Sequence, residues 1–293
     1  MTWWQFSLNC QASELELVED LMLELGAVSI SLRDAGDEPI YEPLPGDNPV
    51  WQESIVTATF DKGCDPGLLQ QQLVDRLPDH LAGGLLQENL QDQDWDQAYK
   101  RHFQPLQCAP GLWIVPSWSE PPDPAATIIQ LDPGLAFGTG THPTTALCLA
   151  WLGSSDVKGS QVIDFGCGSG ILAIAAIKLG AKHVAAVDID EQALSACQSN
   201  MKVNAIRTEQ ILVCRPEDVV STNADLLMAN ILARPLIDSA ARFASMVRPE
   251  GHILLSGILK TQLEDIQLAY QPFFKLDPAS YRDEWVCVSG KRL

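Results

Sequence analysis

A glycine-rich turn at residues 164–170, Asp-Phe-Gly-Cys-Gly-Ser-Gly, constrains the fold of this chain more than any other segment. It joins the apolar run 162–165 to an apolar helix predicted at 171–179. Glycines at such a turn permit a tight bend and bring the backbone close to a ligand. From Gln161 onward, segments typical of strands and of helices alternate. This alternation predicts a parallel sheet with helices on both faces, an α/β fold.

The first 90 residues have a different pattern. They read as strand, helix, strand, strand, helix and strand, which is the order of the ferredoxin-like split unit. We therefore predict a small α+β domain at 1–92 with its own core. A polar stretch and a short helix at 93–104 are predicted to link it to the larger domain at 105–293.

The net charge limits the possible partners. The chain has 38 acidic and 19 basic side chains, a formal net charge of −19. Residues 1–104 hold 19 acidic and five basic side chains, whereas residues 105–293 hold 19 and 14. This balance argues against direct binding to nucleic acid or to an anionic membrane surface. It leaves two interpretations of the acidic first third, a solubilising surface or a surface for a basic partner.

The eight cysteines indicate neither a metal centre nor a disulfide framework. They form no Cys-x-x-Cys pair and no histidines cluster near them, so we predict no metal site. No apolar run approaches the roughly 20 residues that span a bilayer, and the first residues resemble no signal peptide. We therefore expect a cytoplasmic protein whose cysteines are reduced. We also expect a monomer.

An acidic residue follows the next predicted strand. Asp188 stands 22 residues after Gly166, where a carboxylate can accept hydrogen bonds from both hydroxyls of a ribose. Any nucleotide-like cofactor is compatible with this pair of features. The dinucleotide fingerprint, however, has the spacing G-x-G-x-x-G. Here the spacing is G-x-G-x-G, and the turn is preceded by Asp164, whose charge would repel a pyrophosphate.

These differences favour S-adenosylmethionine, which carries an ammonium group and no phosphate. An NAD-linked oxidoreductase stays open as an alternative class. The D-x-G-x-G-x-G turn resembles the first motif of the seven-stranded, Rossmann-like methyltransferases, as do two predicted antiparallel strands at 273–276 and 285–289. Cys167 inside the turn is interpreted as a small filler and not as a nucleophile, since no base is evident beside it.

The segment 131–145, LDPGLAFGTGTHPTT, is more specific than the glycine turn. It resembles the signature of the ribosomal protein L11 methyltransferases, the PrmA type, and the resemblance extends over nearly the whole chain. The resemblance implies a Rossmann-like, seven-stranded methyltransferase domain preceded by a small ferredoxin-like domain that recognises the substrate. It also implies transfer of methyl groups from S-adenosylmethionine to lysine side chains and to the N-terminal amine of ribosomal protein L11, a basic protein. Another protein acceptor and a non-catalytic ribosome-assembly binder stay open.

The same resemblance implies the site residues. The expected cofactor contacts are Phe137, Gly138, Thr145, Asp164, Gly166, Gly168, Asp188 and Asn230. Asn230 is also the expected catalytic residue, because it follows a predicted strand and its side-chain oxygen can orient an acceptor amine. The alternative is an ordinary asparagine at a strand-end turn. His142 is interpreted as a helix cap or a satisfied polar residue.

Overall fold

A computed structural model of the chain describes residues 3–36, 40, 49–90, 103–132, 140–219 and 223–293. The chain divides into two units, Met1–Ala98 and Tyr99–Leu293. The division falls inside the segment predicted as a linker. Residues 91–102 lie outside the described residues, so the linker helix stays a prediction.

The first unit is a four-stranded antiparallel sheet with helices between its strands. The sheet order is β2-β3-β1-β4. Its elements are β1 (Trp3–Gln11), a 3₁₀ turn (Ala12–Glu14), α1 (Leu15–Glu24), β2 (Ser29–Asp34), β3 (Glu53–Phe60), α2 (Pro66–Arg76), α3 (Asp79–Ala82) and β4 (Leu86–Leu90). The predicted order of strands and helices is confirmed; the short helix α3 was not predicted.

The core of this unit follows from the period-2 pattern of its strands. Phe6 and Phe60 both lie on the buried face, and their rings meet edge to face with centroids 5.7 Å apart. Helix α1 buries an apolar stripe against the sheet. Helix α2 begins with the predicted cap, because the Asp65 carboxylate accepts hydrogen bonds from the N–H groups of Gly67 and Leu68. The unit therefore has a hydrophobic core of its own.

The second unit contains a small sheet and a large one. The small sheet consists of β5 (Leu106–Ala109), β6 (Leu112–Val115) and β7 (Thr127–Gln130). The strands of the large sheet are β8 (Gln161–Phe165), β9 (His183–Val187), β10 (Ile211–Cys214), β11 (Ala224–Asn230), β12 (Val247–Leu259), β13 (Phe274–Leu276), β14 (Ser280–Arg282) and β15 (Trp285–Arg292). The helices of this unit are α4 (Pro143–Ser154), α5 (Ile171–Lys178), α6 (Glu191–Val203), α7 (Ala233–Met246) and α8 (Leu263–Tyr270).

The large sheet has the order β10-β9-β8-β11-β12-β15-β13, with β14 paired to β15. Strands β8 to β12 are parallel, and β13, β14 and β15 run antiparallel to their neighbours. The predicted α/β fold and the two closing antiparallel strands are thus confirmed. Separate apolar clusters cover the two faces of the sheet. Ligands of such sheets bind beyond the carboxyl ends of the parallel strands.

Three strands depart from the sequence prediction. Strand β12 was predicted only at 253–255, but it begins at Val247, and its pairing with β11 shifts register near Asp225. Strands β5 and β14 were not predicted. Strand β14 is short and exposed, so it has no apolar alternation to reveal it. None of the helices in the described ranges is both long and apolar enough to cross a membrane.

Candidate functional site

The carboxyl ends of three neighbouring strands bring the predicted site residues together. In the central strand β8, Phe165 pairs with Val187 of β9 and with Ala229 of β11. Asp164 lies one residue before this level, while Asp188 and Asn230 lie one residue beyond it. The three polar side chains therefore meet at one edge of the sheet, where a parallel sheet binds ligands.

The glycine turn between β8 and α5 has a backbone that only glycine adopts easily. The φ angles of Gly166, Gly168 and Gly170 are +79°, +51° and +78°. The N–H groups of Gly166 and Cys167 both donate to the carbonyl of Val187, at 2.7 and 3.0 Å. A Cβ atom on Gly166 would lie only 2.2 Å from Cγ2 of Ile231. The turn is therefore a bare stretch of backbone fixed against β9.

Asp188 is held by two backbone N–H groups. Its Oδ2 accepts from Gly168 at 2.9 Å, and its Oδ1 accepts from Asp190 at 3.1 Å. Each carboxylate oxygen has a second lone pair, so both remain able to accept a hydrogen bond from a ligand. The half-buried carboxylate is thus oriented by the backbone and keeps acceptor capacity on both oxygens.

Asp164 is a buried carboxyl with one unused oxygen. Its side chain is 1% exposed; Oδ2 accepts from the N–H of Ala173 at 3.0 Å, and Oδ1 has no hydrogen-bond partner within the described residues. The pKa of Asp164 is raised from 3.8 to about 7: burial is the main cause, the hydrogen bond from Ala173 opposes it, and the charge of Asp188 adds to it. Such a group gains most from a nearby cation, which favours its ionised form.

Asn230 ends β11 with its amide held on one side only. Its Nδ2 donates to Oγ1 of Thr145 at 3.3 Å, and its buried Oδ1 has no partner within the described residues. Thr145 lies fully buried in the first turn of α4. Thr145 thus fixes the amide so that its oxygen is the free acceptor.

Ser256 attaches helix α4 to the sheet beside Asn230. It pairs in register with Asn230, is fully buried, and its Oγ donates to the carbonyl of Thr144 at 3.2 Å. Sequence reasoning missed this residue. The available signal was a lone hydroxyl in the apolar run 253–259, because a buried polar group needs a partner.

His142 caps helix α4, as one of its two interpretations predicted. Its Nδ1 accepts from the N–H of Thr144 at 3.4 Å and lies 2.8 Å from Oγ1 of Thr144. The ring packs edge to face on Trp285 at 5.0 Å, and burial lowers the pKa of His142. With Nδ1 used as the acceptor, the neutral ring carries its proton on Nε2.

The predicted site residues divide into two groups. Six lie at the site described above: Thr145, Asp164, Gly166, Gly168, Asp188 and Asn230. Phe137 and Gly138 lie outside the described residues, within 133–139. Cys167 is buried, and its hydrogen bond with the Cys197 thiol together with its burial raises the pKa of Cys167 far above the usual range, which agrees with its interpretation as a filler.

The two carboxyl groups of the site fit a cofactor that has a ribose and an ammonium group. The unused oxygen of Asp164 is an acceptor for a cation, and Asp188 is an acceptor for hydroxyls. A pyrophosphate would face the buried carboxyl of Asp164, so the residues fit S-adenosylmethionine better than a dinucleotide. Within the described ranges, no group of three His, Cys, Asp or Glu side chains is placed to hold a metal ion.

Comparison with known proteins identifies similar chains over the full length. The model of the family described as ribosomal protein L11 methyltransferase (PrmA) matches residues 2–293. A ribosomal protein L11 methyltransferase of Marinobacter nauticus is 44% identical over 295 residues, covering 100% of this chain and 99% of the relative. One of Pseudomonas putida is 46% identical over 296 residues, covering 100% of both.

A solved structure is similar as well. The crystal structure of the ribosomal protein L11 methylase from Lactobacillus delbrueckii subsp. bulgaricus matches with a TM-score of 0.60 and 37% sequence identity. The match covers 65% of this chain and 99% of that one.

Proposed function

The chain belongs to the ribosomal protein L11 methyltransferase (PrmA) family, and from this premise we propose how its residues divide the work. The protein is a methyltransferase that uses S-adenosylmethionine as the methyl donor and ribosomal protein L11 as the acceptor.

Residues 105–293 form the Rossmann-like, seven-stranded methyltransferase domain in this proposal. Seven strands in the order β10-β9-β8-β11-β12-β15-β13 support it, β14 being an addition on β15. Residues 1–92 form a ferredoxin-like domain that recognises the substrate, supported by the antiparallel order β2-β3-β1-β4 and the helices α1 and α2. Residues 93–104 link the two.

Bound S-adenosylmethionine would supply an electrophilic methyl group on a sulfonium; the acceptor lone pair would bond to the methyl carbon in line as the carbon–sulfur bond breaks and the sulfur leaves as a neutral thioether. Asp188 accepts from the ribose hydroxyls in this proposal, and Asp164 compensates the charge of the ammonium group. The backbone of Gly166 and Gly168 lies against the cofactor. Thr145 and Asn230 contact it from α4 and β11, and the family resemblance adds Phe137 and Gly138.

The proposed acceptors are lysine side chains and the N-terminal amine of L11. A protonated amine has no lone pair, and at a pKa near 10.4 only about one lysine in a few thousand is neutral at pH 7. A site that removes water from the amine lowers that pKa and exposes the lone pair. No dedicated base is needed, and the capping role of His142 leaves its Nδ1 occupied.

One observation carries the orienting role of Asn230. Its side-chain oxygen is buried and has no partner among the described residues, while Thr145 holds the other half of the amide. That oxygen accepts an N–H of the amine, so that the nitrogen lone pair faces the methyl group. Positioning of this kind accounts for a large part of the rate of a displacement.

The test is transfer of labelled methyl groups to purified L11, followed by mass spectrometry. We expect Asn230→Ala to lower kcat at saturating cofactor and L11 by about 100-fold or more. Asn230→Asp keeps an acceptor oxygen and is expected to retain more activity than the alanine variant. Unchanged kcat in Asn230→Ala would contradict the orienting role without touching the family assignment.

The acidic first third supports recognition of a basic substrate. Residues 1–104 carry a net charge of −14, so their field attracts basic L11 to the enzyme. The protein acts in this proposal as a cytoplasmic monomer that does not bind nucleic acid directly. Sedimentation of the purified protein at micromolar concentration, with and without ribosomal RNA, tests the monomeric state and the absence of nucleic-acid binding.

A further inference from the structure

Asn200 connects helix α6 to the inside of the glycine turn. Its side-chain Nδ2 donates to the main-chain carbonyl of Ser169 at 2.8 Å, across 31 positions of sequence. Ser169 is 5% exposed, so its carbonyl lies in a region with little access to water. Loss of this donor would remove the hydrogen bond that ties this buried carbonyl to helix α6, and hydrogen bonds of buried groups are costly to leave unmade.

The bond acts on a segment that has many alternative conformations. Three glycines within five residues have positive φ angles, and glycine loses the most conformational freedom when it is ordered. Four N–H groups of the turn are held by Val187, Asp188 and the turn itself. Asn200 supplies the side-chain donor for the carbonyl of Ser169, so it restrains the last peptide before α5.

Helix α6 is a firm base for this restraint because both of its ends are fixed. At its start, Asp190, two residues after Asp188, accepts from the N–H of Gln192 at 2.9 Å. Just beyond its end, Asn204 accepts from the N–H of Gln130 at 2.8 Å and donates to the carbonyl of Gln130 at 2.7 Å. The helix thus joins strand β7, Asp188 and the glycine turn.

We propose that Asn200 is a positioning residue for the S-adenosylmethionine site, which holds the glycine turn in its binding conformation before the cofactor arrives. The proposal rests on the proposed function of the turn as the cofactor cradle. Without Asn200, the binding-competent turn is only part of the population, and the apparent Kd rises in inverse proportion to that part. Once the cofactor saturates the site, the turn is ordered again and kcat is restored.

The first test measures the Kd of S-adenosylmethionine by calorimetry. Asn200→Leu keeps the approximate shape and removes the donor, and Asn200→Asp replaces the donor by an acceptor. We expect both to raise the Kd about tenfold, which is about 1.4 kcal/mol. Gln198, exposed on the same helix, gives the matched controls Gln198→Leu and Gln198→Glu, which are expected to leave the Kd unchanged.

The second readout separates positioning from general destabilisation. We expect the Asn200 variants to show a KM for S-adenosylmethionine raised by a similar factor, with kcat at saturating cofactor and the KM for L11 unchanged. A lower melting temperature with an unchanged Kd well below the melt would overturn the proposal. If Asn200→Asp does not fold, the uncharged Asn200→Leu carries the test alone.

Binding of S-adenosylmethionine by the wild-type protein separates the proposed cofactor site from the role of Asn200. Failure of the wild type to bind S-adenosylmethionine would contradict the proposed cofactor site itself. Binding by the wild type, with the same Kd in the Asn200 variants, would overturn only the role of Asn200.

Discussion

At the scale of single residues, Asp164 is the group whose chemistry depends most on its surroundings. It is buried, one of its oxygens has no partner among the described residues, and its pKa is raised from 3.8 to about 7. The folded protein therefore binds the proton more tightly than the unfolded chain. The stability linked to this group is fully present below pH 3.8 and is lost as the pH rises through about 7.

Asp164→Asn removes this titration, and the expected result depends on pH. At pH 8 the free energy of unfolding of the cofactor-free variant should exceed that of the wild type by on the order of 4 kcal/mol. The variant should therefore melt at a higher temperature. The margin should shrink toward pH 4. Binding of S-adenosylmethionine should tighten in the wild type between pH 5.5 and 7.5, as the carboxylate ionises, and should change less in the variant.

Thermal melts and calorimetric titrations over this pH range check both expectations. Asp156→Asn is a suitable control, because Asp156 is an exposed carboxylate that accepts from the N–H of Lys158 and follows the end of helix α4, whereas Thr145 lies in the first turn of that helix. Parallel stability curves for wild type and Asp164→Asn would show that Asp164 titrates as an ordinary carboxyl, contrary to our interpretation.

At the scale of elements, two glycines separate the cost of a positive φ angle from the cost of a steric clash with an added Cβ atom. Gly166 and Gly159 have nearly equal φ angles of +79° and +74°. A Cβ on Gly166 would meet Ile231 at 2.2 Å, whereas a Cβ on Gly159 would meet nothing within 4 Å. Both substitutions to alanine force a residue with a Cβ into the left-handed region, at about 1–2 kcal/mol. Only Gly166→Ala adds a steric clash beside the site.

We therefore expect Gly159→Ala to lower the free energy of unfolding by about 1 kcal/mol and to leave the affinity for S-adenosylmethionine unchanged. Gly166→Ala should cost more stability and weaken cofactor binding by at least about tenfold, since the turn must move away from Ile231. Chemical denaturation and calorimetry measure the two effects. Equal losses of affinity in the two variants would mean that backbone strain, and not the contact with Ile231, explains the result.

The elements of the large sheet were predictable because their signals are local. The apolar strand β8, the turn and helix α5 follow one another within 18 residues, and Asp188 follows the next strand at the expected place. What the sequence did not reveal are contacts between distant segments, such as Ser256 with Thr144 and Asn200 with Ser169. These depend on which helices, strands and turns become neighbours in the fold, and the spacing of residues along the chain does not encode that.

The same distinction explains the errors at element boundaries. Strand β14 is short and exposed, and its pairing with β15 decides its conformation. Strand β12 extends back to Val247 because β11 pairs with it there, although Pro249 and Gly251 would end a strand judged by propensity alone. His142 was interpreted as a cap or a satisfied polar residue, and the cap is confirmed; proline at the first position of helix α4 is a local signal for the same helix start.

At the scale of the whole molecule, the uneven charge predicts how fast the enzyme associates with its substrate. The net charge of −14 on residues 1–104 contrasts with −5 on residues 105–293. If the first third attracts basic L11, kcat/KM for L11 should fall as salt screens the field, by roughly tenfold between 50 and 500 mM salt. The value of kcat at saturating L11 should change little, because screening acts on association and not on the chemical step.

Neutralising exposed acids in the first unit should have the same effect as salt. A triple variant there should lower kcat/KM for L11 about threefold at 50 mM salt and should lose part of the salt dependence. This test variant combines Glu16→Gln, Asp20→Asn and Glu88→Gln.

A control triple variant in the second unit combines Glu120→Gln, Glu264→Gln and Asp265→Asn. It removes as much charge from the less acidic part of the chain and should behave like the wild type. Equal effects of the two variants would assign the acidic surplus to solubility, because the position of the charge would then not matter for capture of the substrate.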